Sequence, residues 1–119
     1  MEAFQSGGIV VVRDEMHREN EGDFVLAAQH ATPEAINFLL HAGRGLVCVA
    51  LSGERCDELR LPLMVEDNTE SMGSAFTVSV DARNGTTTGI SAADRATTAR
   101  LLADPTAGPE DFRRPGHVF

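Results

Sequence analysis

The chain has 119 residues, enough for one compact domain. Its hydrophobic fraction of 42% against 24% charged residues is that of an ordinary globular protein. A net charge of -8 argues against nucleic acid as a partner, which calls for basic patches. No apolar run approaches the roughly 20 residues of a membrane span, and Met1 to Gly8 lacks signal-peptide form, so the cytoplasm is the default compartment.

Gly7-Gly8 precedes Ile9-Val10-Val11-Val12, a β-branched run read as a buried strand. A dense polar segment follows from Arg13 to Asp23, and Phe24 to Ala28 reads as a second short strand. Thr32 is a good N-cap and Pro33 fits a first helical turn. Ile36, Leu39 and Leu40 share one face of a helix that Gly43 or Gly45 would end. Leu46 to Leu51 is an apolar strand containing Cys48. Ser52 caps a short helix through Leu59, and Leu61-Pro62-Leu63 is extended because the residue before proline avoids the helical region. Phe76, Val78 and Val80 alternate with Thr77 and Ser79 as in a half-buried strand, and Asn84-Gly85 signals a turn. Ser91, with Asp94 three residues on, has the form of a capping box that opens a helix through about Leu102. Asp104 to Pro115, with three prolines and few apolar residues, reads as loop. The irregular alternation of strands and helices predicts an α+β fold, a mixed β-sheet flanked by helices. Cys48 and Cys56 lack paired spacing and are expected to be free thiols. The apolar ending Val118-Phe119 has the look of a cut through a domain.

Four places could carry chemistry. Asp14-Glu15-Met16-His17-Arg18-Glu19-Asn20-Glu21-Gly22-Asp23 holds five carboxylates between two apolar strands. A solvated acidic loop accounts for it as readily as a metal or catalytic site does. Mg²⁺ would compensate the crowded charge, since it takes oxygen ligands from one or two carboxylates and leaves the rest to water and substrate. An EF-hand fails, because Met16 and Arg18 would fall at ligand positions; the scattered His17, His30, His41 and His117 make zinc unlikely too. Thr86-Thr87-Thr88-Gly89 leads into a helix start, which serves capping first and anion binding second. His117 ends a basic turn, and Cys48 on an apolar run is more often core than nucleophile.

Taken together, several blocks resemble the 3,4-dihydroxy-2-butanone 4-phosphate synthase family. They are Arg18 to Asp23, Gly45 to Cys48, Leu61 to Val65, Phe76 to Val78, Thr88 to Arg95 and Arg114 to Phe119, in the family's order and spacing from Gly8 onward. The resemblance implies an α+β fold and a lyase of riboflavin synthesis that converts D-ribulose 5-phosphate to L-3,4-dihydroxy-2-butanone 4-phosphate and formate. It implies Mg²⁺ (or Mn²⁺ in its place), no organic cofactor, and a homodimer with sites near the subunit interface. Glu19 matches the magnesium-binding glutamate. Arg18, Glu19 and Asp23 match residues on the sugar phosphate, and Ser91, Asp94 and Arg95 fall in a further substrate-binding block. Asp14 matches an acidic loop residue of catalysis, Cys48 a pocket cysteine and His117 a histidine needed for activity. Two departures stand out. Met16 and His17 replace acidic residues common before the Arg-Glu pair. The family's glycine-histidine-threonine-glutamate region, with its second magnesium ligand, is absent, so the chain reads as a C-terminally truncated domain with little turnover by itself. A catalytically deficient sugar-phosphate or Mg²⁺ binding module is the alternative.

Overall fold

The computed structural model describes residues 1–119 as an α+β arrangement. A short helix α1 (Glu2–Gln5) leads into a hairpin of β1 (Val10–Arg13) and β2 (Gly22–Val25), paired antiparallel from Val10↔Val25 to Arg13↔Gly22. After a 3-10 turn at Ala28–His30 comes α2 (Pro33–Phe38). Thr32 caps it, its hydroxyl accepting the Ala35 N–H at 3.1 Å. The predicted helix runs on only as a wide π-turn, Leu39–Gly43, which ends with Arg44 in a left-handed conformation. Helix α3 (Gly53–Glu58) begins at Ser52 as read, with the Ser52 hydroxyl accepting the Arg55 N–H. The second sheet pairs β3 (Val80–Ala82) antiparallel with β4 (Phe112–Val118), and α4 (Ala92–Ala103) lies across it.

Three local expectations need correction. Leu46 to Leu51 does not form a ladder strand; it runs extended past the end of the chain, with the Val49 N–H donated to Phe119 and the Phe119 N–H donated to Val47. The strand read at Phe76 to Val80 reduces to a bridge, Leu63↔Thr77, before β3 begins at Val80. The stretch read as loop to Pro115 instead becomes β4 from Phe112, because Phe112 is fully buried and anchors that segment against β3. Local composition carries no trace of this burial.

The core has two clusters, and α4 serves both. Leu102 packs with Leu59, Leu61, Val80, Ala107, Phe112 and Val118, while Ala96 and Ala99 pack with Ala31 and Ile36. Val49 touches both groups. Thr98, fully buried between them, accepts the Ala82 N–H at 2.9 Å and donates to the Asp94 carbonyl at 3.1 Å. One hydroxyl thus ties α4 to an N–H of β3 that its own ladder does not use. No helix is long and apolar enough to cross a membrane.

Candidate active site

A fourth expectation fails here: the run read as a buried strand leaves Val11 and Val12 exposed and Val10 half-buried on the β1–β2 hairpin, so burial contributes little to holding it. An isolated two-stranded ribbon is marginal in water, and side chains in the connecting turn supply the remaining order. The Asp14 carboxylate accepts the backbone N–H groups of Glu15 at 2.7 Å and Glu19 at 3.0 Å. Arg18 donates to the same carboxylate at 3.2 Å and lies 3.6 Å from the Glu19 carboxylate. The Glu19 N–H first, with the Glu15 N–H and Arg18 after it, holds the Asp14 carboxyl below the usual carboxylate range. Asn20 takes a left-handed conformation and accepts from Arg13 at 3.1 Å, closing the far side of the turn. Asp14, Arg18 and Glu19 therefore form one cluster on an open tip.

On donor chemistry this cluster fits a hard cation: the Glu19 carboxylate is partly exposed and only loosely paired with Arg18. No three His, Cys, Asp or Glu side chains converge into a cage. A cation that keeps several waters and takes one or two carboxylates suits such a place.

Asp23, on β2, is near enough to Cys48 for its charge to act on the thiol. Desolvation of the thiol first, and the Asp23 charge second, push the Cys48 pKa up, although the residue as a whole is exposed. A raised pKa makes the thiolate, the nucleophilic form, scarcer at neutral pH. Cys48 and Cys56 are both free, as expected.

The third group is built by β3, β4 and the start of α4. Between Val80 and Asp81 the register of β4 jumps from Val118 to Arg113, so Arg114 to His117 bulge out of the ladder. Side chains satisfy the displaced N–H groups: the Ser79 hydroxyl accepts from Gly116 at 3.1 Å and the Asp81 carboxylate from His117 at 2.8 Å. The His117 ring also meets Asp81, Nδ1 to Oδ2 at 2.9 Å. Nothing in the alternating pattern around Asp81 marks it as part of a site.

Ser91, Asp94 and Arg95 lie together where α4 begins. The Ser91 hydroxyl accepts the Asp94 N–H at 3.0 Å, but only half of the expected capping box forms. The Asp94 carboxylate instead takes the Thr87 N–H at 3.0 Å, the Thr87 hydroxyl at 2.9 Å and the Gly89 N–H at 2.9 Å. The Gly89 bond first, then the Thr87 hydroxyl, lowers its pKa. Asp94 thus shapes the loop, while the buried Nε of Arg95 has no hydrogen-bond partner. Gly89 has φ +103, and a Cβ there would collide with the Asp81 carboxylate, so loop and histidine share one carboxylate neighbour. No ion pair joins the hairpin tip to this third group.

The family model for 3,4-dihydroxy-2-butanone 4-phosphate synthase matches residues 1–119. A 3,4-dihydroxy-2-butanone 4-phosphate synthase of Agrobacterium fabrum is 57% identical over 119 residues, covering 100% of this chain and 56% of that protein. The riboflavin biosynthesis protein RibBA of Cytophaga hutchinsonii is 54% identical over 120 residues, 100% of this chain and 30% of that protein. A crystal structure of a 3,4-dihydroxy-2-butanone 4-phosphate synthase in complex with two magnesium ions superposes with a TM-score of 0.96 at 51% identity, over 99% of this chain and 55% of the other. The cation-free form of such a synthase gives 0.90 at 50% identity, over 99% and 54%. The chain thus spans about half the length of the Agrobacterium relative and less than a third of RibBA.

Proposed function

Since this chain belongs to the 3,4-dihydroxy-2-butanone 4-phosphate synthase family of riboflavin biosynthesis, we propose that it carries part of the site of a Mg²⁺-dependent lyase acting on D-ribulose 5-phosphate. The products are L-3,4-dihydroxy-2-butanone 4-phosphate and formate. The observation that carries this reading is the match along all 119 residues to a synthase at 57% identity, with Arg18 and Glu19 on an open hairpin tip.

In this reading Glu19 holds magnesium, with Mn²⁺ as its substitute, and Asp14 keeps the turn in the shape that presents it. The bound ion supplies Lewis-acid polarisation of the ketose carbonyl and offsets the charge that enolisation develops. Arg18 pins a substrate oxygen with paired donors, and Asp23 accepts from a sugar hydroxyl. Arg95, in the first turn of α4 behind the Thr87–Gly89 loop that Asp94 holds, takes the anionic end beside the α4 N-terminus. His117 moves protons at its outward Nε2, Asp14 assists where Arg18 releases it, and Cys48 lines the pocket as a neutral thiol. We place the protein in the cytoplasm as a homodimer that takes a small sugar phosphate and neither nucleic acid nor membrane.

A second reading, a binding module without turnover, draws on the absence of a three-ligand cluster and on the tight engagement of Asp14 by its own turn. The two separate in one experiment, in which the chain is supplied with the C-terminal part of a synthase domain and calorimetric binding of ribulose 5-phosphate with Mg²⁺ is paired with an assay of formate release. Formate release that chelation abolishes supports the lyase. Binding without formate supports the module, and the absence of both refutes the two together.

A further inference from the structure

We infer that Asp81 is the positioning residue for His117, fixing which ring nitrogen carries the hydrogen; the inference rests on the proposed proton-transfer role of His117. Asp81 is 8% exposed and spends both oxygens on one neighbour: Oδ1 on the His117 N–H and Oδ2 on Nδ1. A carboxylate can only accept, so Nδ1 carries the hydrogen and Nε2 keeps its lone pair. The side chain of His117 is 40% exposed, and Nε2 makes no hydrogen bond within the chain, which leaves it open to a reacting group. The two bonds arise at the bulge of β4, where backbone and ring of one residue lie over one carboxylate. Gly89, without a Cβ, gives that carboxylate its room. In the proton step Nε2 takes a proton and the ring becomes imidazolium, whose charge the Asp81 carboxylate faces; returning the proton at Nε2 restores the neutral ring.

The geometry makes an uncommon demand on an amide substitute. In Asp81→Asn the single carbonyl oxygen is held by the His117 N–H, so the amide nitrogen faces Nδ1 and donates to it. The hydrogen must then move to Nε2, the tautomer that cannot accept a proton there.

The test is a two-bond 1H–15N correlation spectrum of the 119-residue chain with neutral imidazoles, the His117 signals being assigned by their loss in His117→Gln. Wild type should show a protonated Nδ1 and an unprotonated Nε2. Asp81→Asn should invert the pair, and Asp81→Glu, still an acceptor, should restore the wild-type pattern. A wild-type ring protonated at Nε2 overturns the inference, even if Asp81→Asn does not fold; so does an Asp81→Asn spectrum identical to wild type. Formate release decides the proposed activity separately, since the tautomer is read without turnover.

Discussion

Gly89→Ala tests how the loop, Asp81 and His117 are assembled. Two effects add at this position. Gly89 has φ +103, a backbone conformation that residues with a Cβ rarely adopt. Forcing a side chain into it costs about 1–3 kcal/mol. The new methyl would also overlap all three carboxyl atoms of Asp81, so either the loop or the carboxylate must move. Moving the carboxylate breaks its bonds to His117, and moving the loop breaks the Gly89 and Thr87 bonds to Asp94. For 119 residues, a destabilisation of one kcal/mol lowers Tm by about 4 °C. Calorimetry should therefore find a Tm lower by about 4–12 °C from strain alone, with displaced His117 amide and ring resonances. A variant with wild-type Tm and unmoved His117 signals would refute the shared-carboxylate arrangement.

Thr98→Val keeps the shape but removes the acceptor for the buried Ala82 N–H, and an orphaned buried donor costs about 1–3 kcal/mol in denaturant unfolding. Thr98→Ser, which keeps the hydroxyl, should lose less; equal losses would assign the effect to packing. Asp94 has a depressed pKa in the folded state, so its contribution to stability is complete above the unfolded value of about 4 and is lost as pH falls through the folded value. Asp94→Asn should flatten that acid limb of a Tm–pH profile, and an unchanged limb would refute the assignment. Asp23→Asn removes a charge that raises the Cys48 pKa, so Cys48 should be alkylated faster at neutral pH, with mass spectrometry separating it from Cys56. Slower alkylation would contradict the sign.

What was legible in the sequence was mostly local chemistry. Thr32, Ser52 and Ser91 each cap the helix they precede, because an N-cap needs only a short polar side chain and the N–H three residues on. The charged hairpin tip between two apolar runs was legible for the same reason, as were the blocks shared with the synthase family. Features set by distant partners were not. Phe112 makes β4 a strand through burial against residues far along the chain, which a Pro-rich local composition hides. Asp81 sits in an alternating stretch where a carboxylate ordinarily faces water; its role depends on His117, 36 residues later, and on the missing Cβ of Gly89. Asp94 looked like half of a capping box, but three donors from the preceding loop compete better for its oxygen.

The proposed function depends on Glu19, on its exposed turn, holding a hard divalent ion that in turn grips a phosphorylated ketose. The most direct measurement follows the backbone amides of Arg18 to Asp23 by 1H–15N correlation while Mg²⁺, then ribulose 5-phosphate, is added. Saturable shifts at Glu19 and Asn20 on adding Mg²⁺, further shifts with the ketose phosphate, and neither in Glu19→Ala is the predicted result. Amides that stay in place through both additions, or that move equally in Glu19→Ala, would contradict it.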